Sequence, residues 1–131
     1  VSFTSDLKKF QVKFSESNDD LIQGVEIALF SAVIMDSPVD TGRLVGNWQA
    51  TTNNAATGTL ENNDPGRQET IGQMTAFVET LSGGRITYFT NNLPYAVPIE
   101  YGHSKGKAPQ GMVRRNAARF QQLVNEELKK R

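Results

Sequence analysis

The 131 residues contain no cysteine, one His, and 14 Lys+Arg against 14 Asp+Glu, and 37% of them are hydrophobic. That length suits one domain, residues 1–131, around one core. The missing thiol excludes a disulfide framework, a cysteine-based zinc site and a thiol nucleophile. Zero net charge argues against a general nucleic-acid binder, whose affinity rests on neutralising phosphates.

Residues 1–16 read as an N-terminal arm or short helix, with Leu7, Phe10 and Phe14 at helical spacing. No basic region leads into an apolar stretch after Val1, so no secretory signal is expected. A second helix starts near Ser17, where Ser17 and Asp20 have capping-box-like spacing and Asp19 and Asp20 suit the positive end of the dipole. Leu21, Val25, Ala28, Leu29, Ala32 and Val33 form its apolar face. Pro38 ends it by Ser37. The longest near-unbroken apolar run, Ile27 to Met35, falls well short of the roughly 20 residues that cross a bilayer, so no membrane contact is expected.

Val39 to Gly42 reads as a turn, with Asp40 able to bond the backbone and Gly42 free to take positive φ. A strand follows over Gly46–Thr52, carrying Trp48. Asn53 to Arg67 is polar and rich in turn formers, which predicts a mobile loop with one short strand near Ala56–Leu60. Ile71, Met74, Phe77, Val78 and Leu81 suit a middle helix that stops at Ser82-Gly83-Gly84. Arg85–Asn91 is the strongest strand. From Gly111, the residues Val113, Ala117, Phe120, Val124 and Leu128 make one apolar stripe along a C-terminal helix.

No catalytic constellation emerges. The run Gly102-His-Ser-Lys-Gly106-Lys107 lacks the spacing and the following Ser or Thr of a phosphate-binding loop, and reads better as a basic surface loop. His103 has no placed nucleophile, orienting acid or fellow ligands, so no metal, cofactor or catalytic role is assigned to it. Asp36 and Asp40 flank Pro38 and suit helix termination and turn bonding. Glu100 lies in an apolar stretch and needs a partner, with Arg43 or a lysine as candidates; a structural ion pair is preferred to a general acid. Arg114, Arg115 and Arg119 form either a solvated face or a surface that meets an acidic protein or DNA.

Three stretches in order carry a family resemblance: Ser37-Pro-Val-Asp40-Thr41-Gly42-Arg43-Leu44 after the long helix; Asn91-Asn92-Leu-Pro94-Tyr95-Ala96 with Ile99-Glu100-Tyr-Gly102; and Lys107-Ala108-Pro109-Gln-Gly111-Met112-Val-Arg114 opening the last helix. They resemble the minor tail component family of long-tailed bacteriophages, whose members complete the tail and join it to the head. The likeness spans roughly residues 20–125, and 53–84 carries no matching motif. It implies an α+β fold, with the long and the C-terminal helices packed on a small antiparallel sheet. It also implies a non-enzymatic virion protein, assembled in the host bacterial cytoplasm as repeated copies in a ring of expected sixfold symmetry. The implied neighbours are tail-terminator, tail-tube or head-closure proteins, with passing contact to DNA in the lumen.

The motif residues themselves read as architecture, two corners placed side by side. Tyr95 and Ile99 are expected on one face of a helical turn, with Glu100 and Tyr101 beside the first corner. Residues 1–66 carry four bases and nine acids, a net of −5, and residues 67–131 the reverse balance of +5. Spatial segregation of those halves would give copies complementary surfaces. Two other readings compete: a nucleic-acid-contacting module that uses the basic C-terminal helix, and a hydrolase built on His103 and Glu100, for which no nucleophile is placed.

Overall fold

The computed structural model describes residues 19–82, 84–101 and 111–130. The expected N-terminal helix and the Ser17 cap lie outside the described residues, as do Gly102, His103, Ala108 and Pro109. Helix α1 runs Asp19–Asp36, with its two aspartates in the first turn, where the dipole favours them. It ends where Pro38 predicts, and the Ser37 amide closes on Ile34 O at 3.2 Å. Its buried sector is broader than one stripe and differently centred. Ile22, Glu26, Phe30 and Ile34 are buried beside Leu21, Val25, Leu29 and Val33, whereas Ala28 and Ala32 are half-buried. The reason is that α1 is central, with structure packed on several of its sides.

After α1 the chain makes a helical turn, α2 (Arg43–Gly46), before strand β1 (Trp48–Thr52). The strand therefore starts two residues later than Gly46. Helix α3 (Gln68–Val78) ends three residues before Leu81, and strand β2 (Thr87–Asn91) begins two after Arg85. The short helix α4 (Ala96–Glu100) follows. The C-terminal stripe is divided into α5 (Val113–Ala118) and α6 (Phe120–Lys129), with a turn at Arg119. That turn re-aims the buried side: Leu123 joins Val113 and Val124 inside, Asn116 and Glu127 are buried, and Leu128 is exposed. The described residues thus form six helices and a two-stranded antiparallel sheet, an α+β fold.

The sheet pairs Trp48 with Asn91 and Thr52 with Thr87. Alternation turns Trp48 and Phe89 toward α1. There the Phe89 ring is stacked between Phe30 and Trp48, with centroids 4.3 and 4.9 Å away. Ser37 Oγ accepts a 2.8 Å bond from Trp48 Nε1 and donates one of 2.8 Å to Val33 O, so the buried indole N–H is satisfied. Asp36 accepts from Asn116 at 2.8 Å near the C-terminal end of α1, while Val124 clusters with Leu21, Ile22 and Val25 at the other end. The α5–α6 pair therefore runs back along α1, antiparallel to it.

No strand forms at 56–60. Side chains of β1 and of the residues flanking the two strands hold this segment in place of a ladder. Asn47 donates to Leu60 O at 3.0 Å and accepts from Leu60 N at 2.7 Å. Gln49 reaches Gly58 O at 3.2 Å, and Asn92 reaches Ala56 O and Gly58 O at 2.8 and 3.0 Å. Most side chains of 53–61 are nevertheless exposed. Asp64 then opens α3 by accepting from Thr70 N at 2.7 Å.

Candidate functional site

The Asp40–Arg43 corner requires its glycine twice over. Gly42 has φ 86°, and a Cβ there would run into the backbone of Asp64 and Pro65. The same close passage lets Gly42 O accept from Asp64 N at 2.9 Å. Thr41 Oγ1 accepts from Arg43 N at 3.3 Å, a local turn bond that leaves the Asp40 carboxylate at the surface.

The second corner is tied to the first by Asn91, which donates to Leu44 O at 2.9 Å and accepts from Leu93 N at 3.2 Å. Asn92 turns the opposite way, to the 56–58 segment. Pro94 and Tyr95 are exposed, while Ala96 and Ile99 are buried. Between the two corners lies a cavity of about 260 Å³, bounded by Pro38 and Asp40–Leu44 on one side and by Tyr95, Pro98 and Ile99 on the other. Tyr95 and Ile99 thus share the predicted face. Arg43 lines this cavity and is not the partner of Glu100.

Glu100 does not face the first corner either. Its carboxylate is buried at the start of α5, where Oε1 accepts from Met112 N and Val113 N at 2.7 and 2.8 Å. Oε2 accepts from Arg114 N at 2.9 Å and Arg114 Nε at 3.1 Å. One acid therefore satisfies three amides of a helix start and pairs with a cation. Gly111 makes room for it. With φ 86°, a Cβ at Gly111 would lie 2.6 Å from Glu100 Oε2 and 2.8 Å from Glu100 O. Arg114 also donates to Glu100 O at 2.5 Å, and its guanidinium lies 4.7 Å above the Tyr101 ring. The expected structural ion pair is present, with Arg114 as its cation.

Arg115 sits 3.8 Å from Asp36 with half its side chain exposed, and Arg119 donates to Asn116 Oδ1 at 3.3 Å. Trp48 and Met112 belong to the core. Sequence reasoning missed three buried polar groups. Asn116 bonds Asp36 Oδ2 and Met112 O. Asn47 clamps Leu60. Glu26 pairs with Arg85, both buried. Burial pushes the Glu26 carboxyl above the usual carboxylate range, and the Thr87 hydroxyl and the Arg85 guanidinium pull it only part of the way back. The signal for Glu26 was its place between Ile22 and Phe30 on the apolar side of α1.

Among the described residues no group of three or more His, Cys, Asp or Glu side chains is placed to hold a metal ion. No described helix is long and apolar enough to cross a membrane. What the arrangement offers is a surface. Met35, Val39, Tyr95, Val97 and Tyr101 are exposed at or next to the segments bounding the cavity and at the adjoining end of α1. Tyrosine, apolar side chains and nearby arginines are the composition of protein-binding surfaces. Comparison with family models, with curated proteins and with solved structures returned no match, so the family likeness stands on the three motifs alone.

Proposed function

We propose that the chain is a non-enzymatic structural subunit of a long-tailed bacteriophage particle, completing the tail and joining it to the head in repeated copies. The observation that carries this reading is how the motif residues are used. Gly42, Asn91, Glu100 and Gly111 hold corners and a helix start together, and beside them Met35, Val39, Tyr95, Val97 and Tyr101 are exposed, a composition that suits contact with protein neighbours. Glu100, the one acid a hydrolase reading would use, already accepts from three backbone amides and Arg114. The nucleic-acid reading has less support, because Arg114 and Arg115 already face Glu100 and Asp36. The contacts expected are with further copies and with tail-terminator, tail-tube or head-closure proteins. The test is peptide mass spectrometry and antibody labelling of purified particles of the phage that encodes the chain. The protein is expected in several copies at the head–tail junction, and its absence from the particle would overturn the reading.

A further inference from the structure

The cavity between the two corners combines apolar walls with a polar rim. Pro38, Leu44, Tyr95, Pro98 and Ile99 supply the walls, and the exposed Asp40, Thr41 and Arg43 supply the polar groups. Its volume of about 260 Å³ lies below the roughly 300 Å³ at which pockets for whole drug-sized ligands begin, and suits one large side chain.

The charges at the rim narrow the chemistry of the guest. Neither Asp40 nor Arg43 forms an ion pair among the described residues. A second depression is bounded by Arg43, Glu61 and Asn63, so Arg43 has a carboxylate on the border of each hollow it lines. A carboxylate guest would meet like charge from Asp40 and Glu61, and a cationic guest would meet Arg43. A purely aliphatic guest would take water from the Asp40 carboxylate and return no hydrogen bond. A neutral, flat, apolar body with a donor at its edge meets none of these penalties.

Resting on the structural-subunit reading, we propose that this cavity receives a tyrosine or tryptophan side chain from a different protein of the particle. The guest ring packs on Pro38, Tyr95 and Pro98, Arg43 supplies a cation to its face, and its O–H or N–H donates to the Asp40 carboxylate. Such aromatic anchors seated in pockets dominate the energetics of protein interfaces. A second copy of this chain has none to offer, because its one Trp and three Tyr are all committed. Trp48 is buried with its N–H bonded to Ser37, and Tyr88 is half-buried in β2. Tyr95 is a wall of the cavity itself, and Tyr101 lies under the Arg114 guanidinium.

The test is an NMR titration of the purified full chain, read at the amide signals of Gly42, Leu44 and Ile99. Three probes are used: p-cresol, which is the tyrosine side chain as a free molecule; toluene, which lacks its hydroxyl; and propionate, which offers a carboxylate. p-Cresol is expected to shift those signals saturably and to bind about threefold or more tighter than toluene, the worth of one net hydrogen bond. Propionate is expected to leave them unmoved. Asp40→Ala is expected to bring p-cresol down to the affinity of toluene, and Arg43→Ala to weaken both aromatic probes by a similar factor. Both side chains are exposed, so both variants are expected to melt like wild type. The inference is overturned if no probe shifts these signals, if toluene matches p-cresol, if propionate binds more tightly than either, or if Asp40→Ala keeps the preference for p-cresol. None of these results bears on where the protein sits in the particle, and its absence from the particle would remove the proposed partner without changing the titration.

Discussion

The Glu100 carboxylate lies against the backbone of Gly111, so close that a Cβ there would be 2.6 Å from its Oε2. The two residues work as one element, since the acid reaches three amides of the α5 start only because the glycine leaves the space. Glu100→Ala strands buried donors and half-frees Arg114, which should cost about 3–5 kcal/mol. Gly111→Ala adds strain and a clash, for about 2 kcal/mol or more. Chemical denaturation of both variants checks this, and a loss under about 0.5 kcal/mol, the ordinary surface range, would contradict it.

Gly42→Val should destabilise by about 3 kcal/mol or more, because positive φ and the approach of Asp64 and Pro65 both exclude a side chain. The melting temperature of that variant reports it. An unchanged value would mean the corner is drawn wrongly.

Phe89 is held between Phe30 and Trp48, and its side chain is fully buried. Phe89→Ala should cost about 3–5 kcal/mol, and Phe89→Leu appreciably less. Equal losses in the two variants would argue that packing volume is not what this ring contributes.

The elements of the fold were legible mainly where periodicity and breakers agree. Helix α1 and its stop before Pro38 followed from spacing, and the two strands from β-branched and aromatic runs. The face of α1 was misjudged because α3, α5 and α6 all pack on it, which widens the buried sector until it includes Glu26. The turn at Arg119 had no glycine or proline to announce it. In the candidate site, Glu100 visibly needed a partner, but capping links it to amides 12 to 14 residues away, a distance no local pattern encodes. The hydrogen bonds that Asn47, Gln49 and Asn92 send to residues 56–60 leave no periodic trace, so composition showed the Asn53–Arg67 loop without its anchors.

Those clamps make a proteolysis prediction. Arg67 has φ 69°, is half-buried and donates to Ser37 O, and Asp64 is buried, whereas Asn53–Glu61 is largely exposed. A broad-specificity protease should nick between Asn53 and Glu61 before it cuts between Asn62 and Gln68. First cleavage at Arg67 would contradict the clamp.

Glu26 predicts a pH dependence of defined sign. Its folded carboxyl is raised by burial, so the folded state holds the proton more tightly than the unfolded chain does. The acid form is thus favoured by folding, and stability from this group falls as pH rises from the ordinary carboxylate range through the raised folded value. Glu26→Gln, which never ionises, removes that slope. Melting curves across this window should show wild-type stability, relative to the variant, declining with pH. Parallel curves would show that Glu26 titrates normally.

The central claim is that these motifs build a structural subunit of a phage neck or tail. Electron cryomicroscopy of the intact head–tail junction tests it most directly. The account predicts density for several copies of this fold around the tail axis, with Tyr95, Val97 and Tyr101 covered by a neighbouring protein. A junction that contains no copy, or a single one, would contradict it.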